Sequence, residues 1–387
     1  MATPAPTPAP GTTQPPPAPA QLVVGTAQSI DSGASGDPVI MRVARSANGD
    51  GFAVWKADNG GIVPSGGSHH DLWANHYSAA TAAWGSPIRI VAGSTEIEEF
   101  DLAVDASGNA VVAWNEILDP FRRDKGVVMS ARFDTGAGAW GAPIPLSFNT
   151  RFPRVASDAT GAVLAVYVVS ISDPSPISRI RGRFFDPASG TWQPEAAIEQ
   201  NNRSIGFSSD PAPLLDGSGN ALVAFANENG SFGGKVASNY YSRSTGSWGQ
   251  LPPQSDPDAI LGLVGNSGGG VIEHLQLATS TDGNFLLAWD ERGPFDDGSG
   301  TQIFIAHFTS RSRTWGRVQL LVPKVPPQDP NGPRSAAFFV RLHRIGSDAG
   351  GNAIVLWTEG LTEGNVTRAA LKRSAWTMLA PPVARRR

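Results

Sequence analysis

Six times along the chain, a polar, glycine-containing turn leads into a short run of apolar residues that ends on an aromatic residue. The copies read ANGDGFAVW, ASGNAVVAW, ATGAVLAVY, GSGNALVAF, TDGNFLLAW and AGGNAIVLW. They end on Trp55, Trp114, Tyr167, Phe225, Trp289 and Trp357, at intervals of 59, 53, 58, 64 and 68 residues. A repeat of this size, rich in strands and aromatics, is typical of a radial array of sheets. The sequence therefore predicts an all-β fold, a six-bladed β-propeller with four-stranded antiparallel blades.

Each repeat contains four strand-sized segments. In the second repeat they are EFDLAVDA (99–106), AVVAWNE (110–116), GVVMSARF (126–133) and APIPLS (142–147). The second segment is apolar almost throughout, which predicts a strand buried on both faces and places the closing aromatics in the core between blades. The Asp-x-x-Gly-Asn turns before these runs are predicted to be structural. The turn residues are Asp105, Asp158, Asp216 and Asp348, with Ser46 and Ser280 in the other two repeats.

A second series of tryptophans follows the first, in segments such as FDTGAGAWG. Its members are Trp84, Trp140, Trp192, Trp248, Trp315 and Trp376. A polar-x-x-Ser/Thr-Gly-x-Trp hairpin resembles a degenerate Asp-box, the hairpin found in six-bladed sialidase-like propellers. The resemblance extends over all six repeats. It implies hairpins between third and fourth strands that are structural and lie away from the active face.

The chain is predicted to contain one globular domain with two short tails. Residues 1–20 form a Pro/Ala-rich spacer, residues 21–380 the propeller and residues 381–387 a basic tail. The segment QLVVGTAQSID (21–31) resembles fourth strands such as IRIVAGSTEIE (88–98). It is therefore predicted to supply the outer strand of the last blade, which removes two open sheet edges. The segment WTMLAPP competes for that place.

Composition restricts the classes of partner. Charged residues make up 17% of the chain, the net charge is −4 and the pI is about 5.9, so no basic face for nucleic acid is expected. Cysteine is absent, which excludes disulfides and thiol chemistry. No apolar run reaches the length of a membrane span. The spacer resembles those that follow the lipidated cysteine of bacterial surface lipoproteins, which implies an outer-membrane lipoprotein or a periplasmic or secreted protein; an ordinary tail is the alternative.

The main candidate site lies where the six first strands meet around the channel. Four positions before each turn aspartate, or the serine in its place, come Arg42, Asp101, Arg154, Ala212, Gln276 and Arg344. Two positions earlier come Ile40, Glu99, Phe152, Asp210, His274 and Leu342. Polar residues on channel-lining strands must find partners or water. Three arginines at one ring position predict either a site for an anionic ligand or a water-filled channel with Arg–carboxylate pairs.

The three arginines resemble the cluster that holds a carboxylate in sialidases. That family also uses a tyrosine nucleophile with a glutamate partner, and an acidic general acid/base. The four tyrosines of this chain are predicted away from the channel, Tyr167 in the core and Tyr77, Tyr240 and Tyr241 on third strands. The resemblance is therefore restricted to the arginines, and both the anion site and the water-filled channel stay open.

Further candidates lie on the top face, which is the end carrying the loops between second and third strands and between blades. Long loops on a rigid scaffold often carry function, and 56–72 and 290–301 are two of the longest predicted here. The candidates are His69, His70, Trp73, Glu116, Arg122, Arg123, Glu291, Arg292 and Glu359. The three glutamates, with Glu99, Asp210 and Asp290, form a predicted acidic rim. No metal or other cofactor is predicted, although Asp296-Asp297-Gly298-Ser299-Gly300 is able to contact calcium.

Three functions remain open at this point. The first is a non-enzymatic, exported propeller that binds a glycan or protein at the cell surface through its top loops. The second is a sialidase-like glycoside hydrolase or lyase acting on an acidic glycan. The third is a structural subunit of a surface assembly.

Overall fold

The structure is a computed structural model that describes residues 27–31, 36–62, 67–93, 95–119, 121–122, 125–171, 177–199, 207–228, 234–249, 271–279, 283–295, 298–322, 337–347, 353–363 and 366–376. All regular secondary structure in these residues is β-strand, and all strand pairing is antiparallel. The predicted all-β class is confirmed. Within the same residues, no helix is long and apolar enough to cross a membrane.

The described strands form six sheets in chain order, called sheets 1 to 6. Sheet 1 contains β1 (Asp37–Arg45), β2 (Gly51–Ile62), β3 (Ser68–Ser78), β4 (Ala83–Trp84) and β5 (Ile88–Val91). Sheet 2 contains β6 (Glu96–Val104), β7 (Ala110–Ile117), β8 (Gly126–Asp134), β9 (Ala139–Trp140) and β10 (Ile144–Phe148). Sheet 3 contains β11 (Thr150–Ser157), β12 (Val163–Ile171), β13 (Ile177–Asp186), β14 (Thr191–Trp192) and β15 (Ala196–Ala197).

The second half of the chain repeats this order. Sheet 4 contains β16 (Phe207–Leu215), β17 (Ala221–Glu228) and β18 (Gly234–Tyr241). Sheet 5 contains β19 (Val271–Thr279), β20 (Phe285–Phe295), β21 (Gly298–Thr309), β22 (Thr314–Trp315) and β23 (Gln319–Val322). Sheet 6 contains β24 (Ala337–Ser347), β25 (Ala353–Glu363) and β26 (Val366–Trp376).

The fourth strand of a sheet is interrupted. In sheets 1, 2, 3 and 5 a two-residue strand and a later strand both pair with the third strand, so together they form one broken outer strand. Four tryptophans of the second series lie in the two-residue strands, where Trp140, for example, pairs with Phe133. Trp376 differs from the prediction, because it ends the third strand β26 and pairs with Ala353. The hairpin of sheet 2 is held by its own residues: Asp134 Oδ1 accepts the Ala137 N–H at 2.9 Å, and Gly138 has φ +64°.

Neighbouring sheets pack face to face through the second strands. In β7, Val112 and Trp114 pack against sheet 1, whereas Val111 and Ala113 pack against sheet 3. The alternate side chains of one apolar run therefore fill two different cores, which is why the run shows no polar face. Each closing aromatic is at most 8% exposed, as predicted for inter-blade core.

The turns between first and second strands follow the predicted chemistry. Asp105 Oδ1 accepts the N–H groups of Ser107 and Asn109, both at 2.9 Å. Gly108 has φ +86°, a conformation that favours glycine. Asn109 then donates to Asp105 Oδ2 at 2.8 Å and accepts the Thr135 N–H at 3.0 Å, which ties this turn to the next hairpin of the sheet.

Sheet 3 lacks the hydrogen bonds that Asn109 makes in sheet 2. Ala162 stands where sheet 2 has Asn109, so Asp158 Oδ2 is buried without a hydrogen-bond partner. The residue equivalent to Thr135 is Pro187, which has no N–H to satisfy. Pro187 therefore removes the donor that Asn109 satisfies in sheet 2, whereas the oxygen of Asp158 stays unpaired.

Two predicted loops are mostly strand. β2 and β3 extend through much of 56–72, and β20 and β21 extend through most of 290–301, because both pairs continue as long hairpins. The proposed calcium contacts Asp296 and Asp297 lie outside the described residues, as do the spacer and the basic tail.

The prediction that residues 21–31 close the last blade is only partly within the described residues, which begin at residue 27 and contain no strand before β1. Ile30 packs against the cluster of Ala53, Trp55 and Ala57 on the face of sheet 1 turned away from sheet 2, and its carbonyl accepts a 2.7 Å hydrogen bond from Asn75 Nδ2.

Candidate functional site

The first strands of all six sheets line one cavity of about 920 Å³, here called the central cavity. Both predicted rings are among its lining residues: Arg42, Asp101, Arg154, Ala212, Gln276 and Arg344, with Ile40, Glu99, Phe152, Asp210, His274 and Leu342. The turn-based alignment therefore located the residues of the cavity correctly. That they bind a ligand stays a prediction.

Irregular pairing positions the ring side chains. The register of each first strand against its second strand shifts at the ring, for example between Arg151 and Arg154 in β11. Three ring residues, Phe152, Asp210 and His274, have φ of +53°, +46° and +52°. Bulges and left-handed non-glycine residues reorient side chains and are frequent next to functional sites.

Arg154 is the most strongly paired of the three ring arginines. Its Nη1 donates to Glu99 Oε2 at 2.7 Å, and its Nη2 lies 3.6 Å from Asp210 Oδ1. Burial opposes the guanidinium charge, but Glu99, Asp101 and Asp210 outweigh it and raise the pKa of Arg154. Arg154 therefore acts as an internal counter-ion that joins sheets 2, 3 and 4.

Arg42 is paired weakly. Its Nε lies 4.0 Å from Asp101 Oδ1, and its guanidinium lies 5.6 Å from the centre of the Phe100 ring. Burial lowers the pKa of Arg42, and the charges of Arg154 and Arg344 lower it further against the opposing effect of Asp101. Its charge is therefore incompletely compensated.

Arg344 has a neutral hydrogen-bond partner. Its Nη1 donates to the amide oxygen of Gln276 at 3.2 Å, and the residue is exposed to the cavity. Arg341, also exposed, lines the cavity on the same strand. Arg42, Arg341 and Arg344, from sheets 1 and 6, make up a group called the cationic arc.

Two carboxylates that line the cavity link successive sheets. Asp101 accepts the Val155 N–H at 3.0 Å, and Asp210 accepts the Leu275 N–H at 3.1 Å. Burial raises the pKa of Asp210 in spite of the nearby Arg154. The backbone of the next sheet therefore orients each of these carboxylates.

A histidine–aspartate pair links sheets 5 and 6. His274 Nδ1 lies 3.0 Å from both oxygens of Asp290, and Asp290 Oδ2 also accepts the Leu342 N–H at 2.9 Å. The hydrogen bond to Asp290 raises the pKa of His274, although burial acts against it. Glu273, next to His274, lines the cavity as well.

The three rim glutamates have two different environments. Glu116 and Glu359 accept the indole N–H of Trp114 and Trp357, at 2.9 and 2.8 Å. Glu291 stands at the same position relative to Trp289, but the indole nitrogen of Trp289 is buried without a partner. Burial raises the pKa of Glu291 to about 7. The carboxylates of Glu116 and Glu359 are thus each occupied by a hydrogen bond from a buried tryptophan.

The histidine candidates of the 56–72 segment lie on β3. His70 is buried, and its Nδ1 accepts the Ile97 N–H at 3.3 Å; burial, followed by the charge of Lys56, lowers its pKa. Trp73 packs against Trp55 and lies beneath Arg89, at 5.7 Å. His69 is partly exposed next to Gly61. None of the three lines the central cavity.

The arginine candidates are less well placed. Arg122 is exposed in the turn after Asp119. Arg292 pairs with Val271 through its backbone, and its side chain lies outside the described residues, as does Arg123 altogether. Sequence reasoning missed Glu273 and Arg341, because strict alternation points them away from the cavity and only the bulges bring them to it.

All four tyrosines lie in the described part of the chain, and none of them lines the central cavity. Tyr167 is buried between sheets 2 and 3, and its hydroxyl lies 3.0 Å from Glu195 Oε2. Burial raises its pKa above the ordinary value. Tyr77, Tyr240 and Tyr241 lie on third strands, as predicted.

Comparison with known proteins gives structural neighbours only. No family model and no curated protein matches the chain. A protein of unknown function from Dyadobacter fermentans is 11% identical, with 87% of this chain and 94% of that one covered and a TM-score of 0.46. A polysaccharide lyase is 10% identical, with 93% of this chain and 84% of that one covered and a TM-score of 0.49. A Trypanosoma rangeli sialidase in complex with the inhibitor DANA is 10% identical, with 88% of this chain and 55% of that one covered and a TM-score of 0.44. This chain spans little more than half the length of that sialidase.

Proposed function

We propose that this propeller binds an acidic carbohydrate in its central cavity, without turning it over. The observation that carries the proposal is the uneven pairing of the three ring arginines. Arg154 is neutralised by Glu99 and Asp210, whereas Arg42 is 4.0 Å from its carboxylate and Arg344 has an amide partner. A ligand carboxylate or sulfate next to the cationic arc supplies the missing negative charge.

The geometry of guanidinium groups supports an anionic group as the ligand feature. A guanidinium is a planar fork that binds carboxylate or sulfate oxygens through two parallel hydrogen bonds. Hydrogen bonds to charged groups contribute about 1.5–3 kcal/mol each. Asp101, Asp210 and His274 also line the cavity, where they are suited to form hydrogen bonds with sugar hydroxyls.

The absence of a tyrosine in the cavity lining favours binding over the sialidase-like alternative. Catalysis by that route needs a nucleophile within reach of the reacting carbon. The nearest resemblance to a Tyr–Glu pair, Tyr167 with Glu195, lies in the core between sheets. An extracytoplasmic location, consistent with a glycan partner, is part of the proposal and is tested separately by localising the native protein.

Calorimetric titration tests the proposal. We expect galacturonate, glucuronate or N-acetylneuraminate oligosaccharides to bind, and neutral galactose and glucose oligosaccharides not to bind. Arg42→Ala and Arg344→Ala should each weaken binding about ten-fold or more, from the loss of about 1.5–3 kcal/mol. Arg317→Ala is the matched control, because Arg317 is exposed on the outer part of sheet 5.

Two outcomes contradict the proposal. Equal affinity of the Arg42→Ala, Arg344→Ala and Arg317→Ala variants for an acidic ligand places binding elsewhere on the protein. Release of shorter or unsaturated products by the wild-type protein, abolished by Arg344→Ala, establishes the enzymatic alternative instead.

A further inference from the structure

A second group of side chains, in and behind the wall of the central cavity, has the composition of a metal site. Glu273, His274 and Asp290 each present one ligand atom, and these atoms lie within 4.8 Å of one another. Ligand atoms bound to zinc at about 2.0–2.2 Å in a tetrahedral arrangement are about 3.3–3.6 Å apart. Side-chain movements of less than about 1 Å therefore bring the three atoms to coordination distance.

The fold holds this group from two strands of one sheet. Glu273 on β19 is paired with Asp290 on β20, so the two side chains leave the sheet on the same side. His274 follows Glu273 and occupies the bulge, where its φ of +52° turns the imidazole towards Asp290. The trio is thus produced by a register shift and is not visible as a sequence motif.

A backbone group of the neighbouring sheet orients the most buried ligand. Asp290 is 2% exposed, and its Oδ2 accepts the Leu342 N–H at 2.9 Å. Outer hydrogen bonds of this kind orient ligands in metal sites. Glu273 and His274 line the cavity, so the trio is reachable from solvent on one side and supported on the other.

We propose that Glu273, His274 and Asp290 bind one divalent transition-metal ion, of which Zn²⁺ is the best match. One imidazole and two carboxylates suit zinc or manganese better than calcium, which prefers an all-oxygen set. Two carboxylates balance the charge of the ion, and Asp210 adds a third nearby, against the opposing charge of Arg341. Three protein ligands leave coordination positions open towards the cavity for water or a ligand oxygen.

The test uses the full chain without a polyhistidine tag, dialysed against EDTA and then titrated with ZnCl₂ in a calorimeter. We expect one zinc ion per chain. Binding of Co²⁺ in place of zinc should produce visible absorption bands that zinc then removes. Neither measurement depends on the carbohydrate, so failure here and failure of the proposed function are distinguishable.

Variants assign the ion to these residues. Glu273→Gln and His274→Gln should each lower zinc affinity at least ten-fold. Asp290→Asn should do the same, and it keeps an oxygen that accepts the Leu342 N–H. Glu116→Gln is the control, because Glu116 does not line the cavity and glutamine keeps an oxygen that accepts the Trp114 N–H, so zinc binding should be unchanged.

Circular dichroism of each variant checks that it is folded, and a misfolded variant is replaced by either of the other two. The absence of stoichiometric zinc binding overturns the proposal. So does binding of equal affinity in wild type, Glu273→Gln and His274→Gln.

Discussion

Replacing Arg154 by methionine should destabilise the fold, whereas the same change at Arg344 should mainly affect ligand binding. Arg154 contacts Glu99 at 2.7 Å and Asp210 at 3.6 Å. Methionine keeps much of the side-chain volume but leaves both carboxylates without their counter-ion. The comparison is informative because the two arginines occupy equivalent positions in the repeat.

The expected cost follows from the burial of these side chains. Removing one partner of a fully buried ion pair costs about 3–5 kcal/mol. The side chains of Arg154, Glu99 and Asp210 are 25%, 29% and 26% exposed, so water screens part of the interaction. We therefore expect Arg154→Met to lower the free energy of unfolding by about 2–3 kcal/mol. Arg344→Met loses one hydrogen bond to an amide, about 0.5–1.5 kcal/mol.

Urea unfolding at neutral pH measures the difference. The free energy of unfolding is obtained by linear extrapolation for each single variant. In Arg154→Met/Glu99→Gln the uncompensated Glu99 charge is gone, so part of the loss should be recovered. Equal stability of Arg154→Met and Arg344→Met would refute the distinction between a structural and a binding arginine. So would a loss of less than about 1 kcal/mol in Arg154→Met.

Three further predictions concern other parts of the structure. Asn109→Ala should lower the free energy of unfolding by about 1–3 kcal/mol, because Asp105 and the Thr135 N–H each lose a hydrogen-bond partner. Thr135→Pro removes that N–H, so the double variant should lose less than the sum of the two single losses in urea unfolding. Additive losses would contradict this explanation. The buried His70 has a pKa lowered below 6.5, so the unfolded chain takes up its proton first. Stability should then fall as the pH drops below about 6.5 in wild type but less in His70→Gln, and parallel pH profiles from urea unfolding rule this out. Tyr167→Phe should lose about 1 kcal/mol of stability in thermal unfolding and leave ligand affinity unchanged, whereas a loss of affinity would assign this hydroxyl to the site.

Much of the architecture could be predicted because the repeat supplied six internal copies. Alignment on the turn residues identified the buried second strands, the closing aromatics and two rings of residues that all line the central cavity. This works because β-strand alternation and turn chemistry are local, so each copy reports the same geometry.

The predictions were wrong where pairing between strands decides the outcome. His70 was expected in a loop, but the β2–β3 hairpin continues past it and the side chain packs against sheet 2. Glu273 was not recognised, because a bulge at His274 breaks the alternation on which its orientation was judged. Hairpin length and bulge position depend on the partner strand, so the sequence of one strand alone does not predict either.

Residue types and their spacing determined that this chain forms strands, where they turn and which positions meet around the cavity. Only the tertiary structure decided how the charges at those positions are paired. Arg42, Arg154 and Arg344 are equivalent in sequence, yet Arg154 is neutralised by Glu99, 55 residues away, while Arg344 faces Gln276. Electrostatic compensation depends on distances between sheets, and these arise only when the repeats pack together.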